Sequence, residues 1–307
     1  MPWQEIHIKT TRQDSDSWAD RLSTAGAAAV TFRDGGNQPV FEPDPGETKL
    51  WDTVIVIGLF DADTPESLLA DLEQAAVARR LTVARHVVPD QPWERAWMDH
   101  FTPQAFGKRL WICPSWKQPP RPDAVNILLD PGVAFGTGTH ATTALCLRWL
   151  DGHDCRGQRV VDYGCGSGIL GIAAARLGAA EVEAVDHDPQ AICSTIANAR
   201  KNAVHCLDAV TPENFSKKSC DLLLANILSR PLIRLAPLFG EVVRPGGQAV
   251  LSGITSDQQD EIIAAYAANF QCCGVSIMEN WARIDLIRLP RPVAKKPDGA
   301  SDAQGFR

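Results

Sequence analysis

Residues 159–175 restrict what this chain can fold into more than any other stretch. A β-branched pair, Val160 and Val161, meets glycines at 164, 166 and 168 and passes directly into Ile169, Leu170, Ile172 and an alanine run at helical spacing. That is a strand, a tight loop and a helix, the unit from which parallel α/β sheets are wound. Three alternating glycines leave out side chains, so a ligand can lie against the backbone and the turn can take positive φ. Loops of this kind serve dinucleotides, nucleoside triphosphates and nucleosides alike. Asp162, two residues before the first glycine, narrows the choice, because a carboxylate there repels a phosphate and attracts an ammonium or sulfonium group. With Gly164 and Gly166 against the ligand, the loop suits a cationic nucleoside.

A second glycine-rich loop spans 130–143 and runs into a helix marked by Leu145, Leu147 and Leu150. No lysine follows its last glycine, which excludes a triphosphate-binding P-loop. Its hydroxyls and backbone N–H groups, with Phe135 and Thr139 among the contacts, can surround the polar end of a ligand held by the first loop. His140, at the helix start, is either a base or a local hydrogen-bonding residue. Further on, residues 183–189 read as a strand ending in acid. Asp186 lies about twenty residues past the glycine turn, where a carboxylate takes both hydroxyls of a ribose, and Asp188 beside it disfavours a phosphorylated ribose. A fainter strand is expected over 204–207, with Asp208 near the adenine. The strand that begins at Asp221 presents Asn226 at its carboxyl end, the edge where open α/β sheets place their chemistry. A turn at 244–247, a strand over 248–252, a helix over 258–270 and a hairpin of 272–278 with 281–289 close the sheet.

Residues 1–88 read differently. Strands are expected over 5–9, 28–32, 53–60 and 81–88. One helix runs through Trp18 and Leu22, capped by Asp14 or Asp16 and stopping near Gly26; a second starts at Thr64 with Pro65 in its first position. The order β-α-β-β-α-β predicts a ferredoxin-like α+β domain. It holds no cluster of catalytic residue types, its His7 and His86 read as structural, and it is expected to recognise a partner. Residues 38–51 are a recognition loop or a long hairpin connection. Trp93, Trp97 and Phe101 recur every fourth residue and would stack along one face of a linker helix over 89–104, as a connector held to one domain rather than the alternative, a nucleic-acid stacking platform. The cofactor domain then covers 105–290, beginning with strands over 106–116 and 125–129, and a polar stretch at 291–307 is expected to be disordered.

Length and composition agree with two soluble domains: 307 residues, 45% hydrophobic and 22% charged, are enough for sizeable cores. The longest apolar run, 54–60, is strand-sized and too short to span a membrane. Charges occupy the N-terminal stretch where a signal peptide needs an apolar run, so a cytoplasmic location is expected. Nine cysteines without a C-x-x-C pair argue against a metal site or a disulfide framework, and fit small buried hydrophobes, Cys165 included. A net charge of −7 gives no global drive toward nucleic acid, and a basic protein partner fits at least as well.

Several segments together carry a family resemblance. Residues 130–143 and 161–168, Asn226-Ile227-Leu228, Met1-Pro2-Trp3, Val40-Phe41-Glu42-Pro43, residues 45–48 and residues 109–116 resemble the bacterial ribosomal protein L-eleven methyltransferase family of class I S-adenosylmethionine-dependent enzymes. The resemblance runs from residue 1 to about 289. It implies a Rossmann-like methyltransferase sheet, mostly parallel with a terminal antiparallel hairpin, beside the ferredoxin-like domain. It further implies methylation of lysine side-chain and N-terminal amines on that ribosomal protein, docked through the N-terminal domain of a monomeric enzyme. Carried over by motif, Thr143, Gly164, Asp186 and Asn226 would contact S-adenosylmethionine, and Asn226 would position the amine, with no general base assigned. Ala141 stands where the family often has proline, Arg230 takes a small-residue position, and 77–90 is short. Ile227 and Leu228 replace the aromatic found in planar-amine methyltransferases, which favours an aliphatic amine. The alternatives are methylation of another protein or RNA, an NAD-dependent oxidoreductase, which Asp162 and the terminal hairpin count against, and a noncatalytic adaptor.

Overall fold

Alternating apolar residues make one-sided strands, and the N-terminal sequence uses them throughout. The computed structural model of the chain describes residues 3–36, 38, 50–89, 101–130 and 140–290, which fall into two compact units, Met1–His100 and Phe101–Arg307. In the first, β1 (Trp3–Thr11) buries Ile6 and Ile8, and β3 (Thr53–Asp61) buries Val54, Val56 and Phe60 on the same face. With β2 (Ala29–Asp34) and β4 (Thr82–Val88) they form an antiparallel sheet in the order β2-β3-β1-β4. Helices α1 (Arg12–Thr24) and α2 (Glu66–Ala78) supply Trp18, Leu22, Leu69, Leu72 and Ala76 to its core. This is the ferredoxin-like arrangement.

Two helix starts differ from expectation. Thr11 caps α1, its hydroxyl accepting from Asp14 N–H; the chain leaves β1 in extended geometry at Thr11, so the helix begins before either aspartate can flank it. Pro65 lies just outside α2, with ψ of 130° and no side-chain cap. Of residues 38–51 only 38, 50 and 51 are described, and residues 90–100, which carry most of the expected linker helix, lie outside the described residues, as does 291–307. Phe101–Gln104 are not helical; Gln104 already pairs with Ile112 in a strand.

The second unit begins with a small sheet of β5 (Gln104–Ala105), β6 (Leu110–Cys113) and β7 (Val125–Leu128). Its main body is a seven-stranded sheet. Strands β8 (Arg159–Tyr163), β9 (Glu181–Val185), β10 (Leu207–Val210), β11 (Cys220–Asn226) and β12 (Val243–Thr255) are parallel; β14 (Trp281–Arg288) is antiparallel to both β12 and β13 (Phe270–Met278). The order is β10-β9-β8-β11-β12-β14-β13, so the winding reverses between β8 and β11. At such a reversal the connecting segments leave in opposite directions and open a crevice at the carboxyl ends.

Helices fill both faces. α3 (Ala141–Gly152), α4 (Ile169–Arg176) and α5 (Pro189–Lys201) bury residues in one core, which contains Leu147, Ile172, Ala199 and Leu224; α6 (Ser229–Val242) and α7 (Gln259–Tyr266) pack in the other, with Phe239, Tyr266 and Ile284. The third parallel strand sits at 207–210 rather than 204–207, because Val204 N–H closes the end of α5 on Ala199 O. Residues 244–247 bulge out of β12 between the paired Val243 and Gln248. The hairpin braces α3: the buried Arg283 guanidinium donates from Nη1 to Leu145 O (2.9 Å) while its Nε and Nη2 bind Asp285. Among the described residues no helix is long and apolar enough to cross a membrane.

Candidate active site

Four segments separated in sequence meet at the carboxyl ends of β8, β9 and β11. The loop after β8 needs positive φ at Gly164 (78°), Gly166 (55°) and Gly168 (79°), a backbone region L-residues other than glycine rarely enter. Two of these glycines also make room for protein rather than ligand. A Cβ on Gly164 would lie 2.2 Å from Ile227 Cγ2, and one on Gly168 would lie 2.8 Å from Thr195 Cγ2.

Four of the loop's N–H groups are already engaged. Gly164 and Cys165 both donate to Val185 O, Gly168 donates to Cys165 O, and Gly166 donates to Asp186 Oδ2 at 2.9 Å. A phosphate cradle works by offering free N–H groups to an anion, and these four are turned inward. The loop's neighbour is an acid: Asp186 is only 8% exposed, and its Oδ1 also accepts from Asp188 N–H. Each carboxylate oxygen has a further lone pair, enough to accept the two hydroxyls of an unphosphorylated ribose.

Asp162 stands behind the loop, 1% exposed, with Oδ2 accepting from Gly171 N–H in the first turn of α4. Burial pushes its carboxyl up to about 7, with the Gly171 hydrogen bond opposing and the Asp186 charge adding to the rise. A desolvated acid beside a second acid is stabilised in its charged form by a nearby cation, the property expected of a sulfonium site.

Asn226 closes β11. Its Nδ2 donates to Thr143 Oγ1 at 3.2 Å, which joins the first turn of α3 to the exit of β11. Its Oδ1 is buried and, among the described residues, accepts no hydrogen bond. Leaving a buried carbonyl oxygen unpaired costs about 1–3 kcal/mol, and an incoming N–H donor would recover it. The next residue is clamped: Ile227 N–H donates to Ser252 O, and a Cβ on Gly253 (φ 87°) would lie 2.4 Å from Ile227 O. Leu228 follows, 44% exposed.

The structure therefore brings Thr143, Asn226, Gly164, Gly166, Asp186 and Asp162 into one region, while Phe135 and Thr139 lie outside the described residues. His140 caps α3, its Nδ1 accepting from Thr142 N–H and lying 2.8 Å from Thr142 Oγ1, with its ring edge-on to Trp281. That is the local role. Asp208 is exposed in the edge strand β10, opposite Glu183. Cys165 is buried and its thiol pushed up by that burial, so it acts as a small packing residue. Among the described residues no group of three His, Cys, Asp or Glu can hold a metal ion. Sequence reasoning missed Gly253 and Thr195; the first follows the last residue of the expected strand over 248–252, a glycine placed where only a close backbone approach would require one.

The comparisons agree with this picture. Residues 2–288 match the family described as Ribosomal protein L11 methyltransferase (PrmA). A protein of that name from Pseudomonas putida strain W619 is 47% identical over 287 residues, covering 92% of this chain and 98% of its own length. One from Nitrosococcus oceani is 49% identical over 284 residues, covering 92% and 97%. The crystal structure of a ribosomal protein L11 methylase from Lactobacillus delbrueckii subsp. bulgaricus matches with a TM-score of 0.58 and 31% identity, over 62% of this chain and all of that one.

Proposed function

The chain belongs to the ribosomal protein L11 methyltransferase family, and from that premise we propose how its residues transfer methyl groups from S-adenosylmethionine to amines of L11. The observation that carries the site assignment is the Oδ1 of Asn226 beside Thr143, buried and unpaired among the described residues. When bound, S-adenosylmethionine supplies an electrophilic methyl group on a sulfonium. The chain's own contribution is to bind, align and dry the site. Asp186 takes the ribose hydroxyls, Gly164 and Gly166 let the nucleoside approach the backbone, and Asp162 favours positive charge near the loop. Thr143 fixes the Asn226 amide so that Oδ1 faces the acceptor. Phe135 and Thr139 belong to the same cofactor-binding set.

A lysine amine titrates near 10.4 in water and attacks only as the free base. Desolvation favours that neutral form, and Asn226 Oδ1 accepts one of its hydrogens, leaving the lone pair for in-line attack. Leu228, exposed two residues on, suits the aliphatic stem of a lysine better than a planar base. The N-terminal unit docks L11, acting in the cytoplasm as part of a monomer that makes no direct contact with nucleic acid.

The test is methyl transfer from labelled S-adenosylmethionine to L11, with rate followed against pH for the wild type and Asn226→Ala. The variant should lose about a hundredfold or more in kcat, the scale of an active-site hydrogen bond. Unchanged turnover would remove Asn226 from the chemistry.

A further inference from the structure

Helix α5 touches both the loop after β8 and Asp130. Near its middle, the fully buried Thr195 donates from Oγ1 to Gly166 O (3.1 Å), and Asn198, one turn on, donates from Nδ2 to Ser167 O (2.9 Å). Residues three apart share a helix face, so both grip the loop after β8. Gly168 lacks a side chain where Thr195 comes close. At its far end, Asn202 forms a reciprocal pair with the last residue of β7: Oδ1 accepts from Leu128 N–H (2.7 Å), and Nδ2 donates to Leu128 O (2.9 Å). Lys201 donates to Asp130 Oδ2 (2.6 Å), and Asp130 is also held by the Ser115 N–H and hydroxyl. Asp130 is the residue from which the second glycine-rich segment departs.

Thr195 and Lys201 are six residues apart, about 9 Å along a helix. We infer that α5 is a spacer between the loop after β8 and residues 128–130 at the end of β7, and that Thr195, Asn198, Lys201 and Asn202 are positioning residues for the cofactor. The inference rests on the S-adenosylmethionine reading above. None of the four needs to touch the ligand. A rigid spacer requires both attachments, so releasing either end already frees the separation, and releasing the other adds little. Residues supporting their own neighbourhoods independently would instead give effects that multiply.

The experiment is calorimetric titration of the full chain with S-adenosylmethionine, using the wild type, a near-end variant (Thr195→Val with Asn198→Ala), a far-end variant (Lys201→Met with Asn202→Ala) and the two combined, with steady-state rates on L11. Releasing either end should weaken cofactor binding about tenfold and raise the cofactor KM while the L11 KM stays unchanged. The combined variant should be no weaker than the more severe of the two, and Thr195→Ser alone should keep wild-type affinity. If the near-end variant does not fold, Thr195→Ala with Asn198→Ala takes its place. Wild-type affinity in either end variant, or multiplying losses in the combination, would overturn the spacer. A wild type that gives no binding heat would instead overturn the cofactor reading.

Discussion

Gly253 lies so close to Ile227 that a methyl group on it would stand 2.4 Å from the Ile227 carbonyl oxygen and 2.8 Å from its nitrogen. β12 therefore sets the position of the backbone just after Asn226. Gly253→Ala must push that backbone away and also holds an L-residue at φ near 87°, at a strain cost of about 1–2 kcal/mol. A lowered melting temperature is expected, together with a fall in kcat of about tenfold or more as Asn226 moves. Normal turnover would mean that the Ile227 backbone does not need to be held there.

Asp186 should dominate cofactor affinity. Asp186→Ala removes the ribose acceptors and also releases Gly166 N–H and Asp188 N–H. Hydrogen bonds to charged groups contribute about 1.5–3 kcal/mol each, so affinity should fall by about two orders of magnitude in calorimetry. Wild-type affinity would refute the ribose role.

Asp162 gives the apo protein a pH signature. Its carboxyl is raised from the usual range to about 7, so between roughly pH 4 and 7 the folded chain holds a proton that the unfolded chain has lost. Stability must then fall as pH rises through that window and level off above it, by at most about 4 kcal/mol. Asp162→Asn keeps an acceptor for Gly171 N–H and abolishes the titration. Urea unfolding without cofactor at about pH 5 and pH 8 should show a smaller loss in the variant. Equal losses would place the titration elsewhere.

Removing residues 1–100 should separate binding from recognition. Phe101–Arg307 forms its own compact unit, and a domain with its own core can fold alone. The fragment should bind S-adenosylmethionine normally but methylate L11 at least about a hundredfold more slowly, since the tethering effect of a docked partner is lost. Full activity in the fragment would exclude a docking role for the N-terminal unit.

The thiols should divide by burial. Cys113, Cys146, Cys155, Cys165 and Cys220 are buried, and burial pushes Cys146 up to about 12 and Cys155 to about 11. Because the thiolate is the reactive form, iodoacetamide should label Cys193 and Cys273, the two exposed thiols, long before those five. Rapid loss of Cys165 in a peptide map would contradict its packing role.

What was legible in the sequence was whatever repeats along the chain or ends an element. The glycine loop, the acid after β9 and the terminal hairpin are of that kind, as is Asn226 at a strand's carboxyl end. The purpose of the glycines was less legible. They look like space for a ligand, yet two of them accommodate Ile227 and Thr195, side chains 63 and 27 residues away in a chain whose spacing says nothing about that approach. Thr195, Asn198 and Asn202 were invisible for the same reason: on an amphipathic helix they read as polar positions, and their partners lie across the fold. Thr143 came from resemblance alone, because a threonine in a helix's first turn has no pattern that points to Asn226. The third strand was misplaced because Val204 has the character of a strand residue while its N–H closes a helix end.

The bracing of α3 by Arg283 has a consequence for synthesis. β14 lies inside the sheet, between β12 and β13, although it follows both in sequence, and Arg283 on it holds Leu145, two residues beyond Thr143. A nascent chain that has not yet reached Arg283 lacks both the strand that joins β13 to the sheet and the anchor for the helix that meets Asn226. A chain ending before Arg283 is therefore expected to hold α3, and with it Thr143, less firmly than the complete chain does.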